Sequence, residues 1–181
     1  MRVIGGADRG RKLRAPGWGD VRPTSDRVRE AIFDILESRL LVEGAVVLDL
    51  FAGSGALGIE ALSRGAARVT FVESDPRAVT VIEENLDSLG YLAGGRAAVV
   101  RAEVLSWLGR EPGAPEPPAD VALADPPYDF RAWPVLLSSL RATNVVLEHS
   151  RRIEVAAPYE AVRGYRYGTT LLTLATFGGA G

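Results

Sequence analysis

Apolar and polar positions along this chain follow two periods. Short apolar runs at Val46-Val47-Leu48, Val69-Thr70-Phe71-Val72, Ala97 to Arg101, Val121-Ala122-Leu123-Ala124 and Asn144 to Leu147 are too short for helices and are bounded by glycine, charge or proline. They predict strands at 45–50, 68–73, 97–101, 121–124 and 144–147. Between them the spacing becomes helical. Val28, Ile32, Ile35 and Leu36 mark a helix over 26–41, and further helices are predicted at 56–65, 76–89, 103–108 and 131–141. Thr24 or Ser25 can cap the first helix, and Pro76 suits the first turn of the third. Two closing runs, 163–167 and 169–176, read as antiparallel strands turning at Gly168, while Ile153-Glu154-Val155 fits neither period clearly. Residues 1–16 hold short runs around Gly5-Gly6 and Gly10, a β-hairpin or extended arm. Strands alternating with helices predict an α/β fold with a mostly parallel, mixed sheet.

The stretch Val46 to Gly58, VVLDLFAGSGALG, joins a strand to a helix through Gly53, Gly55 and Gly58. Glycine permits positive φ and close approach of a ligand to the backbone, and the helix aims its free N–H groups at the crevice. The spacing alone also fits a dinucleotide site. Its companions narrow the choice. Asp49, Glu73, Glu103 and Asp125 stand at or just past successive strand ends, where ligands of such sheets bind. With Asp125-Pro126-Pro127-Tyr128, the Asp-x-Phe-x-Gly-x-Gly loop and the strand-end acid resemble S-adenosylmethionine-dependent methyltransferases that modify amino groups.

The chain has 181 residues, 47% hydrophobic and 24% charged, which suits one globular domain with a small appendage. It has no cysteine, so disulfides, thiolate metal sites and methylation through a cysteine adduct are excluded, and no metal is expected. No apolar signal core or membrane-length run is visible, so a cytoplasmic protein is expected. Net charge is −2, but residues 1–29 carry eight basic residues against three acids, a balance of +5 that leaves −7 for the rest. A basic arm on an acidic body suggests a polyanion partner, with Arg9, Arg11, Lys12, Arg14, Arg22 and Arg29 as candidate RNA contacts. Its alternative is a solvated tail. Arginine forks onto phosphate and stacks on bases better than lysine. Proline-rich 111–118 is expected to be a surface loop, and His149 and Trp107 and Trp133 packing or rim residues; Trp18 could touch RNA.

Gly5-Gly6, Arg9-Gly10-Arg11-Lys12-Leu13, Arg22-Pro23-Thr24-x-Asp26-Arg27-Val28-Arg29-Glu30 and Asp49-x-Phe51-Ala52-Gly53-Ser54-Gly55-Ala56-Leu57-Gly58 form one run. This run resembles the RsmD family, bacterial methyltransferases that place a methyl group on N2 of a guanine in 16S ribosomal RNA. The similarity extends from Arg2 to about Phe177. It implies a Rossmann-like methyltransferase fold with a seven-stranded sheet, a basic arm or hairpin at 1–22 and a methyltransferase domain at 23–181. It implies S-adenosyl-L-methionine as cofactor and the small ribosomal subunit as partner, with the protein expected to be a monomer. By resemblance, Glu73 meets the ribose, Glu103 the adenine amine, and Phe51, Ala52, Gly53, Ser54 and Gly55 the methionine part, with Ser74 beside Glu73 as a further cofactor contact. Thr24, Asp26 and Arg27 would close over its end, and since the cofactor carries a sulfonium cation, a nearby acid such as Asp49 or Asp125 suits it electrostatically.

An exocyclic amine on a base is a poor nucleophile, because its lone pair is delocalised into the ring. The Asp125 carboxylate and Pro126 carbonyl can accept its hydrogens and steer the lone pair at the methyl, Pro126 and Pro127 stiffen the backbone, and Tyr128 can stack a flipped base. Three alternatives remain at this stage. The amine could belong to DNA or a protein glutamine, the chain could be a non-catalytic nucleic-acid-binding module, or the glycine loop could hold a nicotinamide cofactor.

Overall fold

A computed structural model describes residues 1–15, 25–109 and 119–178. Helices α1 (Asp26–Glu37), α2 (Ala56–Ser63), α3 (Pro76–Ser88), α4 (Val104–Leu108) and α5 (Trp133–Ser139) alternate with strands β1 (Val46–Leu50), β2 (Arg68–Glu73), β3 (Ala97–Arg101), β4 (Ala119–Ala124) and β5 (Ala142–His149). The hairpin β6 (Tyr159–Tyr167) and β7 (Thr170–Phe177) closes the chain. One seven-stranded sheet has the order β3-β2-β1-β4-β5-β7-β6, parallel from β3 to β5 and antiparallel at β7 and β6. The chain order reverses between β1 and β4, the switch point at which such sheets open a crevice. Among the described residues no helix is long and apolar enough to cross a membrane. Thr24, Arg22, Trp18 and the loop 111–118 lie outside the described residues.

Predicted and observed strands β2 and β3 coincide, whereas several helix ends differ. α1 stops at Glu37 because Leu40 takes a left-handed conformation (φ 58°), and the Leu41 N–H returns to the Leu36 carbonyl at 3.0 Å. This reversal turns Val42 into the core and leaves Leu40 on the surface. Ser25 caps the helix, accepting from the Val28 N–H at 3.3 Å. α5 is shorter than 131–141 because Pro134 belongs to its first turn and Leu140 is already extended. β6 begins at Tyr159 rather than 163, whereas Ile153-Glu154-Val155 joins neither helix nor strand.

The amino-terminal segment is neither a solvated tail nor a regular hairpin. It has one antiparallel bridge, Arg2 to Lys12, and it buries Val3 and Leu13 in the same core cluster as α1 and α2. Its anchor is Glu60 on α2, which is 1% exposed. The Glu60 carboxylate accepts the Ile4 N–H at 2.8 Å, the Gly5 N–H at 2.7 Å and Arg64 Nε at 2.8 Å. Arg29 lies beneath, fully buried, with Nε 3.7 Å from Glu60 and Nη2 donating to Asp26 and to the Arg2 carbonyl. Gly6 is pressed against the end of α2: a Cβ there would lie 2.0 Å from the Ser63 carbonyl oxygen. At Gly5 a Cβ would lie 2.5 Å from Arg64 Nη2, so both glycines of the pair are packed against the end of α2. Asn85 completes the dock, accepting the Arg14 N–H at 2.7 Å and donating to the Arg14 and Ser54 carbonyls.

The placement of Arg29 corrects its assignment as an RNA contact. A guanidinium shut from solvent and paired with Glu60 and Asp26 cannot reach a phosphate; its task is to neutralise Glu60 under the arm. Glu60→Ala leaves Arg29 buried without its main partner and removes two acceptors for the arm backbone. We expect a loss of about 3–5 kcal/mol in urea unfolding, with protease cleavage appearing first within residues 1–15. Wild-type stability in that variant would show that the arm does not depend on Glu60.

Candidate functional site

Asp49 is the fourth residue of β1 and almost fully buried, at 1% exposure. Its Oδ2 accepts the Gly58 N–H at 2.8 Å, tying the strand end to the first turn of α2. Between them the chain passes Phe51 (φ 58°), Gly53 (φ 55°) and Gly55 (φ 76°), a left-handed sequence that lifts the loop over the sheet edge. A Cβ at Gly58 would sit 2.3 Å from the Phe71 ring and 2.9 Å from Asp49 Oδ2, so only glycine lets α2 lie this close to β2. The second tie is Glu73. Its Oε2 accepts the Gly53 N–H at 2.8 Å, and its Oε1 accepts the Ser74 and Asp75 N–H groups at 2.7 and 2.8 Å. The loop is thus clamped by one carboxylate from each of two neighbouring strands.

A cavity of about 1070 Å³ opens above these strand ends. It brings together Asp49, Phe51, Ala52, Gly53, Ser54, Glu73 and Ser74 at one end and Asp125, Pro126, Pro127 and Tyr128 at the other. Tyr128 is 74% exposed at the mouth, while Phe51, Phe130 and Trp133 form a chain of edge-to-face contacts, 5.3 and 5.0 Å between ring centres. Ser25 and Val28 of the α1 end also line it, whereas Asp26, Arg27 and Gly55 do not. Glu103 is likewise outside the lining. It is the cap of α4, accepting the Leu105 and Ser106 N–H groups at 3.1 and 2.7 Å, and the Ser106 bond holds its carboxyl below the usual range. His149 is a structural residue of the rim, with Nδ1 2.7 Å from the Arg151 carbonyl and Nε2 2.9 Å from the Thr173 hydroxyl.

Sequence reading missed the wall built by β5 and the loop after it. Glu148, Arg151 and Arg152 line the cavity with Arg131 from the segment before α5. The signal for Glu148 was its place one step past an apolar run, the same signal that singled out the other strand-end acids. The floor is therefore acidic and the mouth carries arginines. Burial pushes the Asp49 carboxyl up to about 8, against the pull of the Gly58 N–H, with Asp125 and Glu73 adding to the rise. Such a floor favours a cationic ligand, whose charge would relieve the repulsion.

Residues 1–175 match the family model described as "Conserved hypothetical protein 95". The chain belongs to the RsmD family. The "Ribosomal RNA small subunit methyltransferase D" of Escherichia coli is 44% identical over 128 residues, 71% of this chain and 60% of that protein's length. The protein of the same name from Haemophilus influenzae is 38% identical over 144 residues, covering 80% of this chain and 72% of the relative. The solved structure of the yhhF protein of Escherichia coli superposes with a TM-score of 0.81 at 34% identity, covering 98% of this chain and 97% of that one. RsmD membership and this superposition agree with the Rossmann-like methyltransferase fold that the motifs predicted.

Asp49 has a thermodynamic consequence. Its folded-state carboxyl holds a proton up to about pH 8, while the unfolded one releases it near ~4. The folded state therefore binds the extra proton between these values, and stability falls as pH rises from ~4 to about 8. Asp49→Asn keeps an acceptor for Gly58 but cannot ionise. Melting temperatures at pH 5 and pH 8 should differ less in this variant than in the parent; an equal difference would show that Asp49 is already ionised in the fold.

Proposed function

We propose that this protein transfers a methyl group from S-adenosyl-L-methionine to the exocyclic N2 amine of an unstacked guanine in 16S ribosomal RNA of the small subunit. One observation carries the proposal: a single cavity joins the clamped glycine loop and Glu73 to Asp125-Pro126-Pro127-Tyr128. Family membership and the names of the relatives supply the ribosomal substrate. S-adenosyl-L-methionine fits this chain's donor set, because its sulfonium is a cation and the floor is acidic. When bound, it supplies an electrophilic methyl group.

This chain's residues do the rest. Glu73 Oε1 is filled by the Ser74 and Asp75 groups, while Oε2 keeps a lone pair beside the Gly53 bond and would accept from a ribose hydroxyl. The Phe51–Ser54 backbone would hold the methionine part, with Ser25 lining the same cavity. Asp125 and the Pro126 carbonyl would accept the amine hydrogens and fix the lone pair in line with the methyl. Tyr128, already at the mouth, would stack the extruded base, a contact worth ~1–3 kcal/mol. Arg131, Arg151 and Arg152 would meet the phosphates next to that base, and Arg9, Arg11, Lys12, Arg14 and Arg22 more distant ones. A nicotinamide reading explains neither Asp125-Pro126-Pro127-Tyr128 nor the family, and the intact clamp argues against a non-catalytic module.

The decisive test offers labelled S-adenosyl-L-methionine to small subunits, naked 16S RNA and DNA, followed by nucleoside analysis. N2-methylguanine in RNA is expected; label only in DNA would overturn the substrate. Glu73→Ala should weaken cofactor binding in calorimetry by ~1.5–3 kcal/mol or more, since it loses a charged acceptor and unclamps Gly53. Asp125→Ala should cut the single-turnover rate severely while RNA affinity survives. Tyr128→Phe should be mild and Tyr128→Ala severe. Replacing Arg131, Arg151 and Arg152 together should lower the salt slope of RNA binding by about one unit for each phosphate no longer neutralised. An unchanged slope would remove these arginines from the footprint.

A further inference from the structure

Glu148 is an acid of the substrate end of the cavity with no assigned part. It is the penultimate residue of β5, beside β4, and the register pairs Ala124 with Leu147. One step further, Asp125 and Glu148 stand level on neighbouring strands, which lie about 4.8 Å apart, and both line the cavity. Glu148 Oε2 is shut from solvent and has no hydrogen-bond partner among the described residues. A buried acceptor without a donor is costly, and a cavity wall is where a ligand can supply the donor.

Resting on the guanine reading above, we propose that Glu148 is a specificity-determining residue that accepts the hydrogen on N1 of the target base while Asp125 accepts from the neighbouring amine. The chemistry discriminates. Guanine alone among the amino-bearing bases carries a hydrogen on the ring nitrogen beside its amine. In adenine and cytosine that nitrogen is a bare acceptor, and it would face the Glu148 oxygens lone pair to lone pair. Two level carboxylates therefore match a row of N–H donors and reject the other two bases.

Protonation of Glu148 bears on the same choice. Burial, with Asp125 adding to it, pushes its carboxyl up to about 8. The charged and titratable groups on the elements around it are Asp125 beyond β4, Arg131 before α5, and His149, Arg151, Arg152 and Glu154 at the end of β5, while β7 faces it with Leu172. Above that pH Glu148 is an acceptor only; below it, the protonated acid can donate to a bare ring nitrogen.

The test compares RNA substrates carrying guanine or 2-aminopurine at the target position. 2-Aminopurine keeps the N2 amine but has no hydrogen on N1. The parent should methylate guanine about tenfold to a hundredfold faster in single turnover, and its preference should grow from pH 6 to pH 9. Glu148→Gln should shrink or invert the preference, because its amide can donate to the bare nitrogen, and should remove the pH trend. Equilibrium binding of both RNAs with S-adenosyl-L-homocysteine present should show the same ordering without turnover. Calorimetric cofactor binding checks that the variant folds; if it does not fold, the parent's preference and its pH trend still decide. Equal parent rates on the two bases, or a ratio unchanged in Glu148→Gln, overturns the role of Glu148 alone. No transfer to either base by the parent overturns the guanine reading and this proposal with it.

Discussion

The hydrogen bond from the Gly58 N–H to the buried Asp49 carboxylate is the constraint on which the rest of this structure depends. It fixes where α2 starts, and α2 can start there only because position 58 has no Cβ to strike Phe71. Once α2 is set, its whole length is buried and its side chains become structural anchors. Glu60 then presents two oxygens to the backbone of residues 4 and 5 and draws Arg29 of α1 beneath it. A loop geometry that lines the cavity on one side thus organises the amino-terminal segment on the other. Removing water from Asp49 is costly, and the cost is local to the strand end where a cation would repay it.

Charge is arranged in layers around the cavity. Asp49, Glu73, Asp125 and Glu148 occupy the depth, and Arg131, Arg151 and Arg152 the lining toward exposed surface. A polyanion approaching a purely acidic cleft would be repelled; the arginines offer it contacts at the lip, while the acids stay aimed at N–H donors and positive charge. The arm adds basic residues elsewhere, but several are already engaged by the body. Arg14 pairs with Glu84 at 2.9 Å, and Arg11 donates to the Ser88 carbonyl at the end of α3.

Much of this was legible in the sequence, for identifiable reasons. Strands β2 and β3 could be bounded to the residue because charge or a turn stops them at both ends. The glycine loop was legible because left-handed backbone leaves few choices of residue. Helix ends were less so: the left-handed residue closing α1 is Leu40, not a glycine, and nothing local announces it. Arg29 reads as one more member of a basic run, since only the fold reveals that it points at a buried glutamate. Glu103 shows why a strand-end acid is ambiguous: where the strand runs straight into a helix, such an acid also serves as the helix cap. Glu148 carried the same strand-end signal as the other acids, but what sets it apart, its place level with Asp125, lies across the sheet and not along the chain.

The placement of β7 between β5 and β6 has a consequence for how the chain is made. β6 leaves the ribosome before β7 yet has no place in the sheet until β7 has paired with β5. The wall that carries Glu148, and the Thr173 hydroxyl that holds His149, is therefore completed only by the last strand of the sheet. A nascent chain can form the parallel half and its glycine loop during synthesis, but the outer flank of β5 is covered only after β7 emerges. Vectorial synthesis thus separates the two sides of the cavity in time, the glycine loop first.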